Sequence, residues 1–383
     1  MHLLNCLNNI TAYQETEHIL KSKGLVIKKN EDLGLFLVKY DKENCDMNDT
    51  DVQKCRGLIM EIDTNNLVCI PPFKSMGLNE FSNVIPKFSE VIYEEFVDGT
   101  MINLFNYNGE WVISTRSNIG ANCKWYSDKT FDELFRDSTS HLQYDKLNIH
   151  VCYTLVLQHP DNRIVKNYKD PEFTLVSARN INKNSYVDLN LDDIKTQLTT
   201  EDHSINIPTK YKFDDFMQAM DFVNNQNYDF QGLVMKHNGF RAKTRNPKYN
   251  YVKNLRGNTR NMKYIYLTLR KENNLNGFLE FFPEYHGEFL EYRNQLMQTT
   301  NNFWNCYKTY YISANKHTLN KKEMPYQFRP LCFEIHGMYL TRKHDGYKIN
   351  WTEIKIYFNN LPAARQLFAV SYTHLRAHET RGN

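Results

Sequence analysis

The sequence predicts an α+β fold. A domain dominated by antiparallel sheet spans residues 1 to about 250, and an all-helical region follows over 251–368. Three observations predict it. Short segments rich in β-branched and aromatic residues recur up to residue 244, punctuated by Asn, Asp and Gly. One of these junctions, Asn108-Gly109, is the strongest short-range hairpin signal known. Beyond 250 the apolar spacing changes to three and four residues, the period of a helix buried on one face.

Taken in order, AYQETEHILKSKG (12–24) reads as a short helix stopped by Gly24. LVIKK and LGLFLVKY alternate as strands around Asn30-Glu31-Asp32. CRGLIMEID (55–63) and LVCIPPF (67–73) form a further pair joined by Thr64-Asn65-Asn66. VIYEEFVDGTMINLF (91–105) reads as one strand, turned by Asn108-Gly109 into a second strand ending near 117. KTFDELFRDS (129–138) and KFDDFMQAMDFVNNQ (212–226) carry helical spacing. VCYTLVLQHP (151–160), FTLVSARNI (173–181), GLVMKHNG (232–239) and FRAKT (240–244) complete the strands. Tyr285, Phe289, Tyr292, Leu296, Thr299, Phe303, Cys306 and Tyr310 step by three or four along one long helix, a stripe of the core type.

A chain of 383 residues with 41% apolar content fits two soluble domains. It has no apolar run of about 18 residues, so no membrane span is expected. MHLLNCLNNITAYQ has no basic region leading into an apolar core, so no signal peptide is expected. Eight scattered cysteines without a CxxC pair point to free thiols in a reducing, cytoplasmic compartment. The net charge of +3 conceals a bias: Arg241 to Lys271 holds ten Lys or Arg and no acid, interleaved with Tyr249, Tyr251, Tyr264 and Tyr266. Such a block reads as a phosphate-binding surface, with tyrosines that either stack on bases or pack in the core.

The last stretch, VSYTHLRAHET (370–380), resembles the translation of a sequencing adapter. Residues 369–383 are therefore read as adapter read-through, with the natural chain continuing past Phe368, and His374, His378 and Glu379 support no metal site.

Four further segments occur in one order: CRGLIMEID with PPFKSMGLNEF (55–81), EFVDGTMINLF (95–105), YTLVLQHPDNRIV (153–165) and QGLVMKHNGFRAKTRNPKY (231–249). Together, over about residues 35–255, they resemble the nucleotidyltransferase domain of the phage T4 RNA ligase family, and within it ligase-like proteins of large DNA viruses. The resemblance implies an ATP-grasp-like RNA/DNA ligase domain of antiparallel sheets with flanking helices. It also implies use of ATP and Mg²⁺, RNA and nucleotide as partners, a role in viral RNA repair, and a place in the host cytoplasm or virion. In that family the lysine of Lys-x-Asp-Gly attacks the α-phosphorus of ATP. The amine must lose its proton, although a free lysine has a pKa of about 10.4.

By this resemblance Arg56 and Lys74 occupy the upstream basic positions, and Asp98-Gly99 the Asp-Gly. Arg116 and Arg163 are further phosphate contacts, and Arg241 and Lys243 fill the last motif. The reacting residues differ. Phe96 stands at the nucleophile, Val156 at the third-motif glutamate (a one-residue shift being the alternative) and Gln231 at the fourth-motif glutamate. A benzyl group cannot form a phosphoramidate, and an amide brings no charge to Mg²⁺. Loss of all three removes a charge cluster whole rather than stranding its members, which is the pattern of a pseudoenzyme. A literal Lys343-His344-Asp345-Gly346 lies past the last motif and reads as a solvated turn. Lys74 reads as a phosphate contact or surface residue rather than a substitute nucleophile, His159 as a capped structural histidine rather than a base, and Glu94-Glu95 as an exposed strand edge, the alternative being a pair that orients Arg or metal. Lys253, Arg256, Arg260 and Lys263 are the expected RNA contacts.

Three functions compete. One is an RNA ligase-like enzyme using another lysine or ends already adenylylated. Another is a non-catalytic RNA- or nucleotide-binding protein. The last is a structural protein on the same scaffold. The three substitutions favour the second over the first, and the basic block favours both over the third.

Overall fold

The computed structural model describes residue 7, residue 10 and residues 12–85, 87–199 and 204–379, the side chains of 372–379 excepted. The chain divides into two compact units, Met1–Asn254 and Leu255–Asn383.

In the first unit a helix, α1 (Tyr13–Ser22), leads into four strands paired in sequence order: β1 (Val26–Asn30), β2 (Leu35–Lys39), β3 (Arg56–Glu61) and β4 (Leu67–Cys69). A short helix, α2 (Thr50–Lys54), precedes β3, and α3 (Leu78–Val84) follows β4. Alternation gives this sheet two buried faces. Phe36, Val38, Leu58 and Met60 cover Tyr13 and Leu20, while Leu35, Leu37, Ile59 and Cys69 meet Phe105 and Cys152 of a second sheet.

The second sheet has five antiparallel strands in the order β10-β9-β8-β6-β7, namely Ser185–Asp188, Glu172–Asn182, Val151–Gln158, Thr100–Tyr107 and Glu110–Ser114. Its outer face buries Ile102, Leu104, Leu155 and Leu157 beneath α4 (Phe131–Ser138) and α5 (Leu191–Leu198). The turn between β6 and β7 uses Asn108 and Gly109, both at positive φ, as the sequence predicts. The third sheet runs in the order β11-β5-β12-β13: Lys210–Tyr211, Ile92–Glu95, Gly232–His237 and Phe240–Arg245. Tyr93, Leu233, Met235 and Ala242 bury one face of it against Phe81 of α3 and Val223 of α6 (Phe216–Asn225). The helix α7 (Pro247–Arg256) comes next.

One expectation is corrected. Residues 91–105 are not a single strand. β5 ends at Glu95 and β6 begins at Thr100, and the two belong to different sheets. Phe96-Val97-Asp98-Gly99 is the crossover. The amide of Phe96 still donates to the Gly232 carbonyl at 2.9 Å. The chain then turns at Gly99 (φ +147°), where a Cβ would lie 2.3 Å from the Leu157 carbonyl oxygen, so only glycine fits. Apolar alternation runs through this break, which is why the sequence conceals it.

The second unit is helical in its described residues: α8 (Met262–Lys271), α9 (Leu275–Phe281), α10 (His286–Tyr307), α11 (Arg329–Arg342), α12 (Trp351–Asn360) and α13 (Ala363–Glu379). The expected stripe lies on α10, where Phe289, Leu296, Phe303 and Cys306 are buried. Phe278, Phe282 and Phe289 stack with centroids 4.8 and 5.2 Å apart. Lys343–Asp345 is one turn capped by Gly346 at φ 75°, exposed throughout, which agrees with its reading as a solvated turn. The adapter-like tail falls on α13 and beyond, where side chains past 371 lie outside the described residues. Among the described residues no helix is long and apolar enough to cross a membrane. Seven of the cysteines are free, and Cys6 lies outside the described residues.

Candidate functional site

Strand alternation builds the site. On β13, Ala242 and Thr244 turn into the core, so Arg241, Lys243 and Arg245 share the opposite face. Val234 of β12 pairs with both Lys243 and Glu94 of β5, which lines Glu94 and Lys243 up across one face. Just past β5, the Phe96 ring lies beneath two cations. The Lys243 Nζ is 5.2 Å from the ring centroid and the Arg245 guanidinium carbon 5.6 Å. Contacts of this kind contribute roughly 0.5–2 kcal/mol, more when desolvated.

Backbone carbonyls hold the arginines in place. Pro72 accepts from Arg56 and Phe73 from Arg241, at 3.4 and 3.3 Å. Immediately before them, Ile70 and Pro71 accept from Arg179. Prolines 71 and 72 have no N–H of their own, and this row of four carbonyls faces three guanidiniums. Arg116 donates to the Tyr40 carbonyl and lies over the Tyr40 ring at 4.4 Å. Its backbone sits 3.1 Å from where a Cβ on Gly57 would be, which explains the Arg-Gly pair at the start of β3.

The electrostatic result is a cluster of cations short of acids. Burial, then Arg245, Arg241, Arg56 and Lys253, bring the Lys243 ammonium down to about 7. Burial, then Arg56, brings Arg241 down to about 10. Burial also lowers Arg56 and Lys253. The buried acid on this face, Glu94, opposes the fall at Arg241 and is bound to Lys236 at 2.6 Å. Glu94 sits in an inner strand and is 6% exposed, which corrects its reading as an exposed edge. No carboxylate is paired with Arg241, Lys243 or Arg245 among the described residues. The buried Nε–H groups of Arg116, Arg241 and Arg245 have no partner there either. Buried donors without acceptors are costly, and an anion seated on this face would satisfy them.

Asp98 has the opposite surroundings. One carboxylate oxygen accepts the amides of Val165 and Lys166 at 3.2 and 2.9 Å; the other accepts the Tyr249 hydroxyl at 2.7 Å. Burial, then the Asp98 charge, pushes Tyr249 well up, so it stays protonated and donates. Tyr168 donates to the Asp98 carbonyl. Asp98, the Asp of the Asp-Gly motif position, is therefore a buried tether between the crossover, the loop after β8 and α7.

The remaining expectations fall as follows. Arg163 is half-buried and donates to the Val165 carbonyl, and Lys74 is half-buried just past the carbonyl row. Val156 on β8 is buried and offers no donor, and Gln231 is buried at the entry to β12. With Asp98 engaged by three donors, an apolar Val156 and a neutral Gln231, these residues do not fit an Mg²⁺ site. His159 is a cap, accepting from the Asp161 amide at 3.0 Å. Of the RNA candidates, Lys253 lies 6.0 Å from the Tyr249 ring centroid, Arg260 is exposed, and Lys263 is half-buried 5.2 Å from the Tyr292 ring centroid. Arg256 is corrected: at 2% exposure and packed near Tyr285, it is closed to a passing strand. Tyr249 and Tyr266 are core residues, while Tyr251 and Tyr264 are exposed. Sequence reasoning missed Arg245 and Arg179. Arg245 was legible, because it continues the two-residue step from Arg241 and Lys243.

No family model matches the chain. Two viral proteins are similar in sequence. An RNA ligase of Rhodothermus phage RM378 is 25% identical over 217 residues, covering 47% of this chain and 48% of the phage protein. A protein named as a bifunctional polynucleotide kinase/RNA ligase of Autographa californica nuclear polyhedrosis virus is 26% identical over 181 residues, covering 42% and 26%. The chain thus spans about half the length, or less, of the curated relatives it matches. Among solved structures, an archaeal ATP-dependent RNA ligase aligns with a TM-score of 0.43 at 14% identity, over 76% of this chain and 74% of that one. A protein of Aquifex aeolicus described as an ATP-dependent DNA ligase reaches 0.42 at 13%, over 90% and 76%. By its sequence similarity to the two viral proteins, the chain is RNA ligase-like.

Proposed function

We propose that the chain binds nucleotide phosphates and RNA ends on the cationic face of β13 beside Phe96, as an RNA-handling protein on a ligase-like scaffold. The observation that carries this is the cation row on β13, where Lys243 lies between two arginines whose buried Nε–H groups lack acceptors and which pair with no carboxylate among the described residues. A triphosphate or a terminal phosphate supplies both the charge and the acceptors. The exposed Arg260 and the half-buried Lys263 of the second unit offer further cations to an RNA strand. The viral relatives support a setting in viral RNA repair or processing, in the host cytoplasm.

The test is equilibrium binding of ATP and of a 5′-phosphorylated RNA oligonucleotide across a salt series. RNA affinity should fall steeply with salt, and Arg260→Gln with Lys263→Gln should flatten the slope by about one unit for each positive charge removed. Arg241→Gln should weaken ATP binding by roughly tenfold or more, the loss of one charged hydrogen bond. Binding indifferent to salt and to all three changes overturns the reading. The second reading, a scaffold without ligand, gains if neither ATP nor RNA binds.

A further inference from the structure

We infer that Cys69 and Cys152 form a peroxide-sensitive thiol pair, which closes to a disulfide between the first and second sheets and loosens the grip on phosphate. The chemistry of the pair is independent of the phosphate-binding reading above; its effect on binding rests on that reading.

Position comes first. The two thiols meet where the first sheet packs on the second. Cys69 ends β4 and Cys152 lies on β8, and their sulfurs are 3.2 Å apart. Leu35, Leu37, Ile59 and Phe105 wall the pair, so that Cys69 is 0% and Cys152 2% exposed. A disulfide bond is about 2.05 Å long, so closure asks for an approach of roughly 1 Å. β8 is fixed at the centre of five strands, but β4 is a strand of 3 residues at the edge of its sheet. A short edge strand opens at low cost, and the same opening admits peroxide, a molecule little larger than water.

Reactivity comes second. Arg179 of β9 pairs in register with Cys152, and directly opposite residues of an antiparallel pair share one face of the sheet. A buried cation therefore stands beside the two sulfurs. The Cys69 S–H donates to Cys152; that bond, with the Ile70 amide and the Arg179 charge, draws the Cys152 thiol below its ordinary range against the opposing effect of burial. Burial pushes the Cys69 thiol up, so it keeps its proton. One sulfur is thus the nucleophile, and the other is the partner that resolves it.

In the first step the Cys152 thiolate attacks one oxygen of hydrogen peroxide. An S–O bond forms, the O–O bond breaks, and the departing hydroxide takes a proton from solvent to become water. Cys152 is then a sulfenic acid, oxidised by two electrons while the peroxide is reduced. The Cys69 sulfur next attacks the Cys152 sulfur. The S–S bond forms, the S–O bond breaks, and hydroxide leaves as water with the Cys69 proton. The consequence runs along the backbone, because Cys69 directly precedes Ile70, the first of the four carbonyls. The bonds from Arg56 to Pro72 and from Arg241 to Phe73, at 3.4 and 3.3 Å, are already at the long limit for a hydrogen bond. Drawing β4 toward β8 by roughly 1 Å breaks them and releases both guanidiniums from their fixed orientation.

The experiment treats the reduced full chain with hydrogen peroxide, alkylates the remaining thiols and maps disulfide-linked peptides by mass spectrometry. In parallel, tripolyphosphate binding is measured before oxidation, after it, and after reduction with dithiothreitol. A peptide linked through Cys69 and Cys152 should appear. The tripolyphosphate dissociation constant should rise by about three- to tenfold and recover on reduction. Cys152→Ser should keep the reduced-state affinity under peroxide. Cys332→Ser, which removes the other close thiol pair (Cys306 and Cys332, 3.9 Å apart in the second unit), should respond as the parent does. The peptide map and the binding change are both read in the parent chain, so they decide the matter even where a serine variant fails to fold. Absence of the link between Cys69 and Cys152, or a link between Cys306 and Cys332 alone, overturns the inference, as does a linked pair with unchanged binding. A reduced chain that does not bind tripolyphosphate removes the phosphate-binding reading and the switch with it, while the peptide map still decides the thiol chemistry.

Discussion

Phe96 and Asp98 are two residues apart in one crossover, yet their surroundings are opposites. Asp98 is an acid with every acceptor position it needs filled: two amides and a tyrosine hydroxyl converge on it. Phe96 is an uncharged ring facing two cations that no acid neutralises. The contrast separates two tasks that a single short motif can carry. One residue ties three segments of the first unit together. The other borders a surface left electrically incomplete.

The largest expected effect breaks the tether. Asp98→Ala strands two buried amides and a buried hydroxyl and should cost roughly 3–5 kcal/mol, seen as a lower urea midpoint. Asp98→Asn keeps acceptance at one oxygen and should cost less than half as much. If Asp98→Ala unfolds at the wild-type midpoint, the contrast with Phe96 is void.

Next in size is the response of the incomplete side to an anion. Tripolyphosphate alone should stabilise the chain by about 2–3 kcal/mol at a hundredfold excess over its dissociation constant. Arg245→Gln should remove much of that gain while leaving the unliganded midpoint nearly unchanged, because the wild-type Nε–H has no partner to lose. A large loss of intrinsic stability in Arg245→Gln would instead make the cation structural.

A smaller effect comes from pH. Lys243 titrates at about 7 in the folded chain against 10.5 ordinarily. Between those values the unfolded chain binds the additional proton, so this residue makes stability rise with pH across the window. Lys243→Met should be more stable than the parent near pH 6, with the difference shrinking toward pH 9. A difference that grows with pH would reverse the assigned cause. Smallest of all, Phe96→Leu should cost about 1 kcal/mol in unfolding, the cation–π share of a half-buried ring.

Much of this was legible in the residues. Alternation and turn chemistry located most strands, and the two-residue step of Arg241 and Lys243 placed both on one face. Two kinds of information were not legible. The break at 96–99 is set by a tertiary fact, the close approach of Gly99 to the Leu157 carbonyl, which apolar periodicity does not encode. The fate of individual charges was equally hidden. Arg256 and Arg260 look alike in a basic block, but packing near Tyr285 buries the first and leaves the second exposed. Glu94 likewise reads as an edge residue until β11 and β12 are found on either side of its strand.

The carbonyl row at residues 70–73 has a consequence for how the cation face behaves in a changing environment. Amide dipoles orient Arg56 and Arg241 without cancelling their charge and without titrating themselves, whereas Arg179 also pairs with Asp188 at 2.7 Å. Between about pH 6 and 9 the scaffolding of the grip is therefore constant, and the lysine at its centre is an adjustable element. Acidification through about pH 7 would add a positive charge at Lys243, so the hold on phosphate would tighten by a single proton.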